Sequence, residues 1–253
     1  MQITIVTPSY NQGTFLEETL RSVIGQEGID LDYIVIDGGS TDGSGEILER
    51  YADRIAYLQR QPDGGQTDAL IQGFERARGE VMGWLNADDL LEPGALAEVA
   101  AHFSDNPSDR FIFGDSTWID EHGGMLRRKR EMPFVRSVWL RTYDYIPQPS
   151  AFWRSDLYRE VGGLDPSFEQ AMDADLFARF ADRTRPRHVR RFWSRMRSHA
   201  GQKNVRLRAR SNEEEARIRS RYLRVTRGPR WALERAVARL ARIGWRAAIG
   251  GYW

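Results

Sequence analysis

The feature that most constrains this chain is an alternation of short apolar strands with amphipathic helices, running from the second residue through the first half of the sequence. Ile3-Thr4-Ile5-Val6-Thr7 is β-branched and short, which suits a strand buried on both faces. Pro8 to Gly13 makes a loop, and Thr14 with Glu17 has capping-box spacing ahead of a helix carrying Leu16, Leu20, Val23 and Ile24. The unit then recurs. Tyr33 to Ile36 is a strand, Asp37 to Gly43 a glycine-rich loop, and Ser44 to Tyr51 a helix. Ile55 to Leu58, a helix from Thr67 to Ala77, and Val81 to Leu85 continue it. This order predicts an α/β fold with a mostly parallel sheet and helices on both faces, in which ligands sit beyond the carboxyl ends of the strands. Three polar loops follow strands, at Asp37, at Asp63-Gly64-Gly65-Gln66 and at Asn86-Ala87-Asp88-Asp89, so the fold gathers them on one edge. After Phe111 the pattern loosens into expected antiparallel strands, Phe111 to Asp115 and Thr117 to Ile119, with a turn at His122-Gly123-Gly124. Helices return at Ser155 to Val161 and Asp173 to Ala181.

With 253 residues, 41% of them hydrophobic, the chain can bury a core in one large domain or in one domain plus an appendage. The absence of cysteine excludes disulfides and thiol chemistry and leaves oxygen-ligated metals open. No apolar run approaches the roughly 20 residues of a membrane span, and the first residues lack a leader pattern, so a cytoplasmic protein is expected. The net charge of +1 conceals an asymmetry. Acids cluster in the loops of the first half, and arginines crowd the region after Arg179. Charge alone does not separate nucleic acid, an anionic membrane surface and a phosphate-bearing substrate as the partner.

Asp88 and Asp89 are consecutive carboxylates at a strand end, where they repel unless a cation or hydrogen-bond donors are near. Mg²⁺ or Mn²⁺ takes one or two carboxylates together with substrate phosphates. Either acid can instead cap the helix whose first turn holds Pro93-Gly94-Ala95. Both readings stand on this pair alone.

The motifs arrive in a fixed order: Ile3 to Asn11, then Val35-Ile36-Asp37-Gly38-Gly39-Ser40-Thr41-Asp42-Gly43, then Gly79-Glu80 leading to Leu85-Asn86-Ala87-Asp88-Asp89. Taken together over about residues 3 to 200, this resembles glycosyltransferase family 2. The resemblance implies a GT-A fold, a nucleotide-sugar donor, a divalent metal and inversion at the anomeric carbon. It implies that Pro8, Ser9, Tyr10 and Asn11 line the nucleoside pocket, with Tyr10 offering a ring to the base and Asp37 accepting a hydrogen bond from its edge. Uracil or guanine supplies a suitable N–H, so a UDP-sugar comes before a GDP-sugar. Packing for Tyr10 and a simple turn role for Asp37 are the competing readings. Gly64-Gly65-Gln66 with Asp68 resembles a loop near the donor, its glycines letting backbone N–H groups approach phosphate. Where the family's metal motif commonly begins with aspartate this chain has Asn86, so the resemblance leaves Asp88 as the principal ligand, with Asn86 and Ala87 beside the donor and Asp89 toward the acceptor or a positive group.

Inverting transfer needs a base for the acceptor hydroxyl. Gly162-Gly163-Leu164-Asp165 followed by Met172-Asp173-Ala174-Asp175 resembles the family's acceptor-side helix, which implies Asp173 as base and Asp175 as fallback, with Met172 in place of the usual glutamate. A dipole-favoured helix charge is the plainer reading of Asp173. Gln148-Pro149-Ser150 and Trp153 resemble acceptor-side residues, Trp153 stacking on a sugar, although core packing also accounts for a tryptophan. His199 resembles a histidine that completes the metal site or contacts the diphosphate, with Arg197 and Lys203 suited to phosphate; a solvated loop histidine is the alternative.

From Val205 the resemblance fades. Arg206, Arg208, Arg210, Arg217, Arg219, Arg221, Arg224 and Arg227 accompany Glu213-Glu214-Glu215 in what reads as an exposed helix. Trp231, Leu233, Val237, Leu240, Ile243 and Trp245 then form an apolar stripe beside Arg235, Arg239, Arg242 and Arg246. It suits an anionic bilayer, the chain's own domain or a second copy in a homodimer. The expected organisation is a GT-A domain over 1–204, with a nucleotide-sugar half (1–104) and an acceptor half (105–204), followed by a helical, arginine-rich extension over 205–253. The function expected is metal-assisted inverting transfer to a glycan or lipid-linked acceptor in surface polysaccharide or glycolipid assembly. No nucleic-acid partner is expected, and the place is the cytoplasm or the inner face of the cell membrane. A sugar-phosphate nucleotidyltransferase and a non-catalytic nucleotide-sugar binding module are the alternatives; a nicotinamide dehydrogenase fails for want of GxGxxG after the first strand.

Overall fold

The computed structural model describes residues 1–202 and 207–248. Lys203, Val205 and Arg206, together with the expected boundary at 204, lie outside the described residues. Four parallel strands open the fold: β1 (Gln2–Ser9), β2 (Asp30–Asp37), β3 (Tyr57–Arg60) and β4 (Val81–Trp84). Between them run α1 (Gly13–Ile24), α2 (Ser44–Tyr51) and α3 (Gln66–Glu75). The expected alternation is present, with β3 displaced by two residues because Ala52–Arg54 forms a 3₁₀ turn first.

The remaining strands are β5 (Leu90–Leu91), β6 (Phe111–Ile119), β7 (Met125–Lys129), β8 (Ala151–Arg154) and β9 (Arg187–Arg197). The sheet order is β3-β2-β1-β4-β8-β6-β9-β5, with β7 on β6. β8 is antiparallel to β4 and β6, so β6 runs in the direction of β1 and β4, and β9 lies parallel to β6. The carboxyl ends of β1, β2, β4, β6 and β9 therefore share one edge. Two expected strands within 111–119 are one strand whose pairing to β9 shifts on either side of Asp115.

Successive side chains of a strand point to opposite faces, and the core follows that rule. Ile3 and Ile5 pack with Leu16, Leu20 and Val23 of α1, and Val6 packs on the other face with Leu70 and Phe74 of α3. Contact with α3 is close enough to demand glycine at 73, where a Cβ would lie 2.4 Å from Val6 Cγ1. α4 (Ala95–Asp105) covers the first face, and α7 (Met172–Phe180) the second through Leu176, Phe177 and Phe180. Short helices α5 (Arg136–Arg141) and α6 (Ser155–Glu160) lie between them in sequence.

The C-terminal helices α8 (Arg208–Tyr222) and α9 (Gly228–Ala248) pack back on this body, α8 against α7 and α9 against α5. α8 is not the wholly exposed helix expected, because Glu214 and Ile218 are buried. Arg141 bonds Glu234 across the α5–α9 contact at 2.8 Å. The stripe divides: Leu233, Val237, Leu240 and Ile243 are exposed, while Trp245 packs on the core beside the docked Ala238 and Arg246. For those four aliphatic residues this corrects the reading in which the stripe covers the chain's own domain. Among the described residues, no helix is long and apolar enough to cross a membrane.

Candidate active site

The loops after β1 and β2 are tied into one cradle. Asn11 donates its backbone N–H to Ser40 Oγ and accepts from the Thr41 N–H through its side chain, both at about 2.9 Å or less, and takes a left-handed φ of 51° to do so. Asp42 accepts the Gly13 N–H at the start of α1 and the Ser44 N–H at the start of α2. Burial raises the Asp42 carboxyl, but the Ser44 hydroxyl at 2.6 Å and these N–H groups together bring it below its usual range. The capping box expected at Thr14 and Glu17 is absent, since Glu17 is drawn instead to Arg21, Arg50 and Tyr51.

Above this cradle Tyr10 is 62% exposed, which corrects the packing alternative. Pro8 and Ser9 are buried, and the Ser9 hydroxyl has no hydrogen-bond partner. Asp37 is buried and folds back on its own loop, accepting from the Gly39 and Ser40 N–H groups and the Ser40 hydroxyl. Its side chain thus fixes the turn, as the competing reading had it, with Oδ2 taking only the Ser40 hydroxyl among the described residues.

The loop before α3 also differs from expectation. The Gly64 N–H donates to Asp68 and the Gly65 N–H to Asp63, so neither is directed at a phosphate, and Asp68 serves the turn and Gln72 rather than a ligand. Gly65 carries φ of 104°, which glycine alone adopts without strain. Gln66 does reach the cleft, donating to Asn86 Oδ1 at 2.8 Å.

Asn86 to Asp89 leaves β4 braced from behind. Thr19 Oγ1 sits 2.9 Å and 2.8 Å from the Ala87 and Asp89 carbonyls, which buries Ala87 and makes it part of the support, not a ligand contact. Arg197, 1% exposed, donates to the Asp88 carbonyl, to the Asp120 and Glu121 carbonyls and to Glu18, while its N–H bonds Asp89 Oδ1. Arg197 is therefore a keystone under the loop, a correction to its expected place beside phosphate. Asp89 is likewise buried, its carboxylate taken by the Arg197 backbone N–H, so it is not open to an acceptor. Burial first, then the charge of Asp88, pushes its carboxyl well above the usual range. Since α4 begins after Gly94, neither acid caps it.

His199, just past β9, brings Nε2 to 3.0 Å from Asp88 Oδ2, with its ring against Phe15 at 4.7 Å between centroids. Two residues 111 apart in sequence thus meet. Among the described residues no group of three or more His, Cys, Asp or Glu gathers as a metal cage. A carboxylate oxygen and an imidazole nitrogen fit an ion of the Mg²⁺ or Mn²⁺ class that arrives with phosphate oxygens and water completing its shell.

Asp173 heads α7, reached by solvent yet enclosed, with Oδ1 accepting the Ala174 N–H at 2.8 Å. Burial, and after it the charges of Glu215 and Glu214, raise its carboxyl to about 6. Asp175 is fully buried between Arg179 and Arg221 at 2.8 Å and 2.6 Å, so both its oxygens are in ion pairs, a correction to its role as fallback base. Trp153 is fully buried among Phe74, Trp84, Tyr158 and Phe180, which rules out stacking on a sugar. Gln148 is buried too, donating to the Trp84 carbonyl and accepting from Asn86. Sequence reasoning missed Asp144, whose buried carboxyl is raised by desolvation and by Asp173 nearby, and which no local pattern marks.

Residues 4–158 match the sequence model described as Glycosyl transferase family 2. The chain is 34% identical over 191 residues to the O-antigen biosynthesis protein RfbC of Myxococcus xanthus, covering 72% of this chain and 14% of that protein. It is 30% identical over 181 residues to an uncharacterised glycosyltransferase of Mycobacterium tuberculosis, covering 71% of this chain and 68% of the relative. Among solved structures, S. aureus TarS in complex with UDP superposes with a TM-score of 0.67 at 16% identity, over 87% of this chain and 64% of the other. The mannosyltransferase PcManGT of Pyrobaculum calidifontis, with GDP-Man and Mn²⁺, gives 0.65 at 18% identity over 97% and 75%. The fold is thus the GT-A fold of those enzymes, and the chain belongs to glycosyltransferase family 2.

Proposed function

We propose that this glycosyltransferase moves a sugar from a nucleoside diphosphate, UDP before GDP, to a hydroxyl of a glycan or lipid-linked acceptor, with inversion at the anomeric carbon. The observation that carries the reading is the meeting of Asp88 and His199 in a braced loop at the carboxyl edge of the sheet. The named ligands of the similar structures, UDP for TarS and GDP-Man with Mn²⁺ for PcManGT, support the donor class. Tyr10 and the unpaired Ser9 hydroxyl face the nucleoside, and Gln66 and Asn86 flank the sugar diphosphate. Asp88 and His199 would hold a divalent ion, which would supply positive charge against the diphosphate. Asp173 takes the proton of the acceptor hydroxyl as its oxygen bonds to the anomeric carbon and the bond to the diphosphate oxygen breaks on the opposite face.

Residues 1–204 act as the catalytic domain in this reading, and 205–253 support its acceptor side. The exposed stripe of α9 lies on the inner face of an anionic membrane, with a homodimer contact as the competing use. To test the chemistry, donor binding, donor hydrolysis and transfer are measured in Asp88→Ala and Asp173→Ala. Asp173→Ala should lower transfer by roughly 10² to 10⁴ with donor binding kept, and Asp88→Ala should remove metal-dependent donor binding. Unaltered rates in both variants would sink the reading.

A further inference from the structure

A cavity of about 350 Å³ opens at the carboxyl ends of β6 and β9, in the range of small-molecule sites. Trp118, Arg127, Lys129, Tyr143, Asp144 and Arg246 line it. It adjoins the site at Asn86: Pro147 lines the cavity, and the next residue, Gln148, accepts from the Asn86 side chain at 3.3 Å; Asp144 in the wall also feels the charge of Asp173. None of the three residues that the family resemblance suggested for the acceptor is free to meet one, whereas this cavity is bounded by polar and aromatic groups from three separate segments.

Its chemistry is lopsided. Arg127 lies over the Trp118 ring at 4.8 Å and Lys129 at 5.9 Å, and the Trp118 indole N–H has no acceptor. Arg246 reaches in from α9 with its Nη2 3.2 Å from Tyr143 Oη, and Arg242 contacts the same hydroxyl. Buried Glu131 pairs with Lys129 at 2.6 Å and stands 3.6 Å from Arg246, so it fixes both cations in place and balances part of their charge. Arg127 has no such partner among the ion pairs of the described residues, and it is exposed on the outer strand β7. Asp144 is the one acidic wall residue, and it already bonds the Trp139 indole and the Ile146 N–H. Three cations around two aromatic rings have the chemistry to receive a sugar bearing negative charge.

We propose that this cavity holds the acceptor and that the acceptor is an anionic saccharide, its phosphate or carboxylate set against Arg127, Lys129 and Arg246 and its ring against Trp118. This rests on the transferase reading above and adds the acceptor's chemical class to it.

The test is a tryptophan-fluorescence titration of the full chain, saturated with UDP and Mn²⁺, with glucose 1-phosphate, methyl glucuronide and methyl glucoside. At least one anionic probe should bind about tenfold or more tighter than methyl glucoside, and Arg127→Glu should erase the preference while leaving the thermal midpoint unchanged. Preference for glucose 1-phosphate alone makes the charge a phosphate; preference for the glucuronide alone makes it a carboxylate; both support the cavity. Equal binding of charged and neutral probes, or a preference that survives both Arg127→Glu and Lys129→Gln, overturns it. Hydrolysis of UDP-sugars and GDP-sugars by the unaltered protein is measured in parallel. Hydrolysis with no anion preference defeats only the acceptor assignment, and absence of any donor hydrolysis or binding defeats the transferase reading.

Discussion

Asp173 must lose a proton to serve as a base in a setting that holds protons back. Its enclosure at the head of α7 and the neighbouring Glu214 and Glu215 raise its carboxyl to about 6, with Asp144 also nearby. Transfer should accordingly show a one-proton limb, with kcat/KM falling as pH drops below about 6 and level above it. Stability must move the other way. A carboxyl raised on folding weakens the folded state once ionised, and that cost is relieved as pH falls through about 6 toward the ordinary value. Asp173→Asn should therefore raise the thermal midpoint at pH 8, lose that advantage near pH 4 and abolish the kinetic limb. A limb that persists in Asp173→Asn assigns the base elsewhere. At this scale the sequence was readable where a residue's role depends on its place after a strand: Asp88 and Tyr10 lie on the loops where alternation put them. The sugar-facing roles expected of Trp153 and Gln148 failed because burial is decided by neighbours distant in the chain.

The elements that position Asp173 come from the part of the sequence where the family resemblance has faded. Glu214 on α8 accepts the N–H groups of Glu169, Gln170 and Ala171, at distances between 2.8 and 3.1 Å, immediately before α7. Those bonds draw its carboxyl down, with burial opposing them. Arg221 of α8 pins Asp175 one turn along. Under the mechanism proposed above, Glu214 positions Asp173 as base: Glu214→Gln should lower kcat by roughly tenfold or more with the donor KM little changed, because a neutral acceptor replaces a charge-assisted one. It should also shift the acid limb below about 6, since one of the charges raising Asp173 is gone. A fall in kcat with an unmoved limb would make the role purely structural. This arrangement could not be read from Glu213-Glu214-Glu215, which looks like any solvated acidic run until α8 is laid against α7. β9 was hidden for a related reason. Its five arginines read as a basic surface, yet Arg195 is matched by Glu92 and Arg197 by the loop after β4, partners about a hundred residues away. The parallel half of the sheet was plain because local periodicity specifies it.

Across the whole molecule, α9 joins two surfaces. One side presents Arg246 to the cavity beside the base, and the other exposes Leu233, Val237, Leu240 and Ile243 to solvent. Arg239 is exposed beside the apolar row, where its guanidinium can stay among anionic headgroups while the row enters the interface, whereas Arg242 is held over Tyr143 on the docked face. Full burial of each large aliphatic side chain is worth about 1.5–3 kcal/mol, and each arginine near an anionic surface adds about 1 kcal/mol that salt screens. The protein should float with phosphatidylglycerol vesicles, bind phosphatidylcholine vesicles much less, and release from the former as salt rises. Val237→Glu/Leu240→Glu should abolish flotation with donor hydrolysis retained, because both side chains point away from the site. If vesicles capture neither protein and the unaltered chain instead sediments as a dimer that the double variant dissolves, the stripe joins two copies, and an acceptor would have to leave the membrane to reach Asp173.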